Sequence, residues 1–308
     1  MLKTLLNSRW VKLIFSIGLF YLAFRKVEIG KIVQELVKIP IWFVVVMVIY
    51  GIVMTAFGSY RWAIVLFNKV RIKDVLILTR AVFVASFYGL FLPSSVGVDL
   101  VRWLPLIKAY PELSKTRLVA SVLIDRVVGF SCFILVAFGA ALVGRELKIN
   151  YPVYLLYLFG GLFLAVVIFY LVVYSGVLVN RLNWLKRFRW LNKLVEVMEL
   201  LRSISIKKLG WCLAVGIISE FAWIMPIWWW GLITGAGISL ISVMVIGPIV
   251  GLLLVLPISV AGFGARENLY LYFWGAMGIP AEKILLVSTM GGIMGILNAL
   301  LGGLLLLK

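Results

Sequence analysis

The sequence predicts an all-α, polytopic transmembrane helical bundle. Three features carry that prediction: the share of apolar residues, uncharged runs long enough to cross a bilayer, and basic residues collected between those runs. Hydrophobic residues make up 64% of the 308-residue chain, well above the roughly 45–50% of a soluble domain. Pro152 to Val179 and Leu240 to Leu256 are uncharged, and in Trp211 to Gly231 only Glu220 is charged. A helix needs about 20 apolar residues to span the hydrocarbon core. Backbone amides in lipid must find partners within their own segment, so such runs are helices; the strands of a barrel would alternate instead.

In chain order, the first apolar run is Leu13 to Phe24. It resembles the core of a signal peptide, but no small-x-small site precedes Arg25 and Lys26, so an uncleaved short span is expected. Ile29, Ile32, Val33, Leu36 and Val37 then follow helical spacing, with Lys31, Glu35 and Lys38 elsewhere on the wheel, which describes a short helix in the membrane interface. A long run from Ile41 to Tyr60 ends in a basic stretch, Arg61 to Lys73. Asp74 to Leu92 is apolar apart from Arg80 and breaks at Pro93-Ser94-Ser95-Val96-Gly97. Further runs are Val119 to Leu142, Val153 to Val179, Trp211 to Gly231, Leu240 to Leu256, Leu269 to Ala276 and Ile284 to Leu307. About six of these are clear spans and up to three are partial, for about eight in all, two of them broken or re-entrant. The whole chain, 1–308, reads as one membrane domain.

The formal charge of +18 is concentrated between spans. That favours basic loops at an anionic lipid surface over nucleic-acid binding. The linker 180–210 holds Arg181, Lys186, Arg187, Arg189, Lys193, Arg202, Lys207 and Lys208 against Glu196 and Glu199, so it is expected in the cytoplasm, as is the N-terminus. Trp184, Phe188, Leu191, Val195 and Met198 give it the pattern of a basic amphipathic helix. Thr234 to Ser239 is uncharged and belongs outside. By the same rule Arg61 to Lys73 and Arg102 to Arg117 are both cytoplasmic, so either the segment between them dips into the membrane and returns, the favoured reading, or the rule fails at one of these loops. Cys132 and Cys212 lie within apolar runs and read as small core residues. The chain contains no histidine, which removes the commonest proton carrier and zinc ligand.

Charged groups inside a membrane cost roughly 2.5–3.5 kcal/mol each on insertion scales, so each one needs a reason. Glu220, mid-span, suits a cavity carboxylate or an interhelical hydrogen bond. FLPSSVGVDLVRW breaks an apolar stretch and then presents Asp99 and Arg102. VLPISVAGFGARENLY repeats Leu-Pro-x-Ser-Val and presents Arg266 and Glu267. Broken helices at corresponding places in two halves point to a transporter's binding site, and guanidinium groups there suit a phosphate. GFGARE is not a dinucleotide fingerprint, because no strand precedes it and the spacing is wrong. Asp125 and Arg126 are neighbours on a helix and so need separate partners; for Arg126 these are the lipid phosphate layer, or Asp99 or Glu267 in an ion pair that could equally be structural.

LPSSVGVDLVR, LIDRVVGF and LPISVAGFGARENLY, in that order and followed by a glycine-rich final span, resemble the lysylphosphatidylglycerol synthase membrane-domain family, also called the flippase-like domain family. The resemblance runs from about Leu13 to Leu307. The family's first motif has Gly-Gly-Asp where this chain has Gly97-Val98-Asp99. Large members fuse the membrane domain to a soluble aminoacyltransferase, and the membrane part is thought to move the product across the bilayer. With the sequence ending at Lys308, the expectation is a chain without the synthase part. What the resemblance implies is a lipid translocase, not an enzyme, with no cofactor. Its partners would be membrane lipids with an anionic or phosphate-bearing headgroup, and Asp99, Arg102, Arg126, Arg266 and Glu267 would be its substrate-binding residues. Glu220 joins them on its place in the span alone. An integral membrane transferase acting on a lipid-linked substrate is the first alternative. It lacks an Asp-x-Asp pair, and the only aspartates are Asp74, Asp99 and Asp125. An ion-coupled carrier for a small solute is the second. The sequence contains no P-loop.

Overall fold

The computed structural model describes residues 18, 21–22, 29–90, 95–176, 189–256, 259 and 262–306, and it is all-α. The helices are α1 (Ile29–Val37), α2 (Ile41–Leu66), α3 (Ile72–Gly89), α4 (Ser95–Arg102), α5 (Leu106–Ala109), α6 (Lys115–Glu146), α7 (Tyr154–Ser175), α8 (Arg189–Ser203), α9 (Ile206–Ile233), α10 (Leu240–Leu253), α11 (Ala265–Gly275) and α12 (Ala281–Leu306). Among the described residues, α2, α6, α7, α9 and α12 are the 5 helices long and apolar enough to cross a membrane, and α10 is a shorter apolar helix. Of the expected first span, only Gly18, Tyr21 and Leu22 fall within the described residues, and all three are helical. Pro93, Ser94, Pro257, Trp184 and Phe188 lie outside them.

Local chemistry sets the helix ends. Ser114, Ser205 and Ser239 cap α6, α9 and α10, each side chain accepting a backbone N–H three residues on, as N-caps do for the unpaired donors of a first turn. Gly176 ends α7 in the left-handed conformation at φ 73, where a Cβ would be strained. Pro226 and Pro248 lie inside α9 and α10, as membrane helices tolerate when neighbours satisfy the freed carbonyls. The carbonyls at the end of α2 find cations from other helices: Arg117 Nη2 donates to Leu66 O at 3.3 Å and Lys208 Nζ to Phe67 O at 2.9 Å. Arg80 does the same for α12, donating to Leu305 O at 3.0 Å.

Tight packing comes from small residues as well as large ones. A Cβ on Gly302 would run into the backbone carbonyl of Phe83, so α12 lies directly on α3. Trp62, Leu78, Leu106 and Leu118 fill one core between α2, α3, α5 and α6, and Cys132 and Cys212 are buried free thiols in a second core. Apolar side chains remain exposed along α2 and α7, among them Val45, Ile49, Val53, Leu164, Ile168 and Leu171, which is the surface a lipid-facing helix presents. Helix α1 packs on α12. Its Glu35 meets Lys38 at 2.6 Å and Lys283 at 3.8 Å. These two cations, Lys38 first through its hydrogen bond, hold that carboxyl below the ordinary carboxylate range. Helix α8 packs against α6 and α7, and its Val195 is buried, so this part of the linker joins the bundle.

Two pairs of short helices turn back on themselves. Helix α4 packs on α3. Their outer ends meet where Tyr110 Oη donates to Asp74 Oδ1 at 2.9 Å, so the chain leaves and returns at one place. Helix α10 packs on α11, and the segments flanking this pair meet where Lys283 Nζ donates to Thr234 O at 2.6 Å. The first junction is beside the end of α2, which Lys208 of the first turn of α9 also caps, whereas Thr234 is the C-cap of α9. At 1.5 Å per residue the 28 residues of α9 separate these ends by about 42 Å. The two hairpins therefore enter the bundle from opposite ends.

Candidate functional site

The first charged cluster is assembled from four helices. Asp125 of α6 lies between two arginines: Arg61 Nε of α2 donates to its Oδ1 at 2.9 Å, and Arg102 Nη2 of α4 donates to its Oδ2 at 2.9 Å. Arg61 Nη1 also donates to Glu220 Oε1 of α9 at 2.8 Å. Arg102 adds a bond to the Val122 carbonyl at 3.1 Å, and its guanidinium stacks 4.6 Å from the centre of the Trp62 ring. That ring is held in turn by its own N–H, which donates to Ser121 at 3.1 Å. Asp125, Glu220, Arg102 and Arg61 are all buried. Farther out, Asp99 of α4 lies 2.6 Å from Arg126 Nε of α6 and 3.4 Å from Arg102 Nε. These two contacts are ion pairs in distance without the direction of a hydrogen bond, and Arg126 Nε, Arg102 Nε and Asp99 Oδ1 make no hydrogen bond. The Arg126 side chain is 40% exposed against 2% for Asp125, so the outer pair is the open edge of the cluster.

Arg61 is the residue the sequence reading misplaced. A basic stretch from Arg61 to Lys73 was expected in a cytoplasmic loop, but α2 continues to Leu66 and Arg61 is buried inside it. The signal was present: Trp62-Ala63-Ile64-Val65-Leu66 extends the apolar run past the arginine, and a cation followed by five apolar residues is still within the helix. Asp125 and Arg126 do take separate partners, as neighbouring helix positions require. Glu220 makes an interhelical bond and lines a cavity as well.

The second centre is local. In the GFG turn Gly262 and Gly264 both have φ 78, a backbone that glycine adopts without a Cβ penalty. Glu267, in the first turn of α11, accepts from the Gly264 N–H at 2.7 Å, the reach-back of a capping carboxylate. Its other oxygen accepts from Arg266 Nη2 at 2.9 Å and from Ser288 Oγ of α12 at 3.0 Å. Arg266 and Glu267 are adjacent yet paired. The helix begins here, and both side chains converge on Ser288. A Cβ on Gly292 would strike the Arg266 guanidinium, so that glycine makes room for it.

Three neighbouring cavities with shared lining residues lie along the two centres. One of about 240 Å³ is lined by Arg61, Arg102, Asp125, Arg126 and Glu220. It shares Thr55, Val82 and Trp223 with a cavity of about 410 Å³ that Arg266 also lines. That one shares Ser86, Arg266, Gly295 and Ala299 with a third of about 300 Å³. The third cavity is bounded by Gly89, Leu90 and Val98 beside the break of the first hairpin and by Leu254, Ser259 and Phe263 beside the break of the second. Val98 sits against Gly89, whose missing Cβ leaves the room. Sequence patterning could find the two breaks but not that their flanks would face one cavity. Among the described residues, no group of three or more His, Cys, Asp or Glu side chains could hold a metal ion.

Long apolar helices around inward-facing ion pairs define a multi-pass helical membrane protein. The family model described as "Lysylphosphatidylglycerol synthase TM region" matches residues 9–302, and the chain belongs to that family. No curated protein and no solved structure matches it.

Proposed function

We propose that the protein is a lipid translocase, carrying a phospholipid or polyprenyl-linked lipid past a polar groove while the tails stay in the bilayer. One observation carries this reading: two helical hairpins from opposite ends of the bundle have the flanks of their breaks on a single cavity lined by Arg266, and a middle cavity shares lining residues both with it and with the cavity beside Arg126 and Glu220. Breaks in opposed hairpins are where membrane carriers expose backbone ends to a charged substrate, and guanidinium groups are the matching donors for phosphate oxygens. In this reading the hairpins are re-entrant segments among about eight membrane crossings and dips. The end carrying Arg71, Lys73 and Arg117 faces the cytoplasm with the linker 180–210 and the N-terminus. Asp99, Arg102, Arg126, Arg266 and Glu267 contact or position the headgroup, and Glu220 holds Arg61 in place. The protein supplies a path and no bond is made or broken.

The test is reconstitution in liposomes with tail-labelled phospholipid and polyprenyl-phosphate probes, following exchange between leaflets. Exchange above protein-free vesicles is expected for at least one lipid class, and Arg266→Ala is expected to slow it while the protein still purifies folded. Exchange equal to empty vesicles for every class would remove the proposal.

A further inference from the structure

The charged side chains that line the three cavities are Arg61, Arg102, Asp125, Arg126, Glu220 and Arg266. Each of the four arginines is matched by a carboxylate within ion-pair distance: Arg61 and Arg102 by Asp125, Arg61 also by Glu220, Arg126 by Asp99, and Arg266 by Glu267. Four guanidinium groups thus stand against Asp99, Asp125, Glu220 and Glu267, and the groove is neutral. The match is tightest deep inside, where Asp125 uses both oxygens and Glu220 accepts a second bond from Arg61. It is loosest at the edge, where Asp99 and Arg126 touch at 2.6 Å without hydrogen-bond direction and Arg126 is 40% exposed.

We propose that the headgroup taken by this groove is a zwitterion bearing both a phosphate and an ammonium group, read by the Arg126–Asp99 pair. The proposal rests on the translocase reading and narrows its substrate class. In a low-dielectric groove the cost of a charge depends on whether it is matched. A simple anion that takes Arg126 leaves Asp99 with only its longer, 3.4 Å contact to Arg102 and gives the groove a net negative charge. A zwitterion replaces one ion pair by two: phosphate oxygens accept from the Arg126 fork, the ammonium donates to Asp99, and the net charge stays at zero throughout. The same pairing is available at Arg266 and Glu267, although there Glu267 is already committed to Gly264 and Ser288. The exchange therefore belongs at the outer pair. A lipid is the source because the largest of these three cavities is walled mainly by apolar side chains such as Met47, Trp223, Ile227 and Met294.

The experiment compares tail-labelled phosphatidylethanolamine, phosphatidylglycerol and phosphatidylethanolamine whose amine has been acetylated, in the same proteoliposomes, with protein-free vesicles subtracted. The first is a zwitterion, and the other two are anions of similar shape. The zwitterion is expected to exchange at least about tenfold faster than either anion, a factor equivalent to about 1.4 kcal/mol. Asp99→Asn leaves the groove with a net positive charge, and the preference is expected to shift toward the anions. Anions that exchange as fast as the zwitterion overturn this inference and leave the translocase standing, and an unchanged preference in Asp99→Asn does the same. Failure of all three lipids to exceed empty vesicles removes the translocase reading and this inference with it. Uptake of soluble phosphoethanolamine without lipid exchange moves the substrate from lipid to free solute and overturns the inference as stated.

Discussion

The two charged centres solve the same problem in different ways. Around Asp125 the groups come from four helices, so each ion pair is also a tie between elements far apart in the chain. Around Glu267 they come from one helical turn, with Ser288 of α12 as the tie outward among the described residues. Burying ions is costly, and a pair repays the cost only when every lone pair and proton is used. The first centre meets that condition at Asp125, whose two oxygens both accept from arginines, and so holds the bundle in register. The second meets it with a glycine turn and a capping carboxylate, and it stays formed as long as the turn does. Interhelical geometry is a tertiary property in the one case and a local one in the other.

The sharpest way to break this comparison is Asp125→Ala. It strands Arg61 and Arg102 together, and removal of one partner from a buried pair costs about 3–5 kcal/mol. A large drop in the unfolding midpoint in detergent is expected, and a midpoint like that of the parent would show that the network does not tie the helices. Next in size is the coupling between Arg61 and Glu220. A double-mutant cycle of Arg61→Met and Glu220→Gln is expected to give an interaction of roughly 0.5–3 kcal/mol, whereas strict additivity would mean that the 2.8 Å contact contributes nothing specific. The smallest effect is at the second centre. Ser288→Ala removes one bond to Glu267 and one to Arg266 but leaves the Gly264 cap, so a loss of about 1 kcal/mol is expected. A loss as large as that of Asp125→Ala would erase the distinction between the two centres.

Much of the helix pattern is legible in the sequence, because hydrophobic length and the need to satisfy backbone groups in lipid are one-dimensional constraints. The runs at Val119 to Leu142 and Trp211 to Gly231 both sit inside longer helices, extended at their ends by polar caps such as Ser114 and Ser205 and by basic first turns. The break after Gly89 and the GFG turn are likewise visible as proline, serine and glycine. Arg61 shows where such reading runs out. A charge counting rule assigns it to a loop, because the rule weighs residue type and not the partners that wait at Asp125 and Glu220, 64 and 159 positions away.

The sequence alone determined that the chain enters a membrane as helices, where those helices are interrupted, and which residues carry charge near the interruptions. These follow from composition and spacing, which the chain carries whatever its fold. Only the tertiary structure decided that the two hairpins come from opposite ends, that the flanks of both breaks border one cavity, and that every arginine lining the groove already has a carboxylate. Those outcomes depend on which distant side chains come within a few ångströms of one another, and a buried charge settles where a partner can reach it.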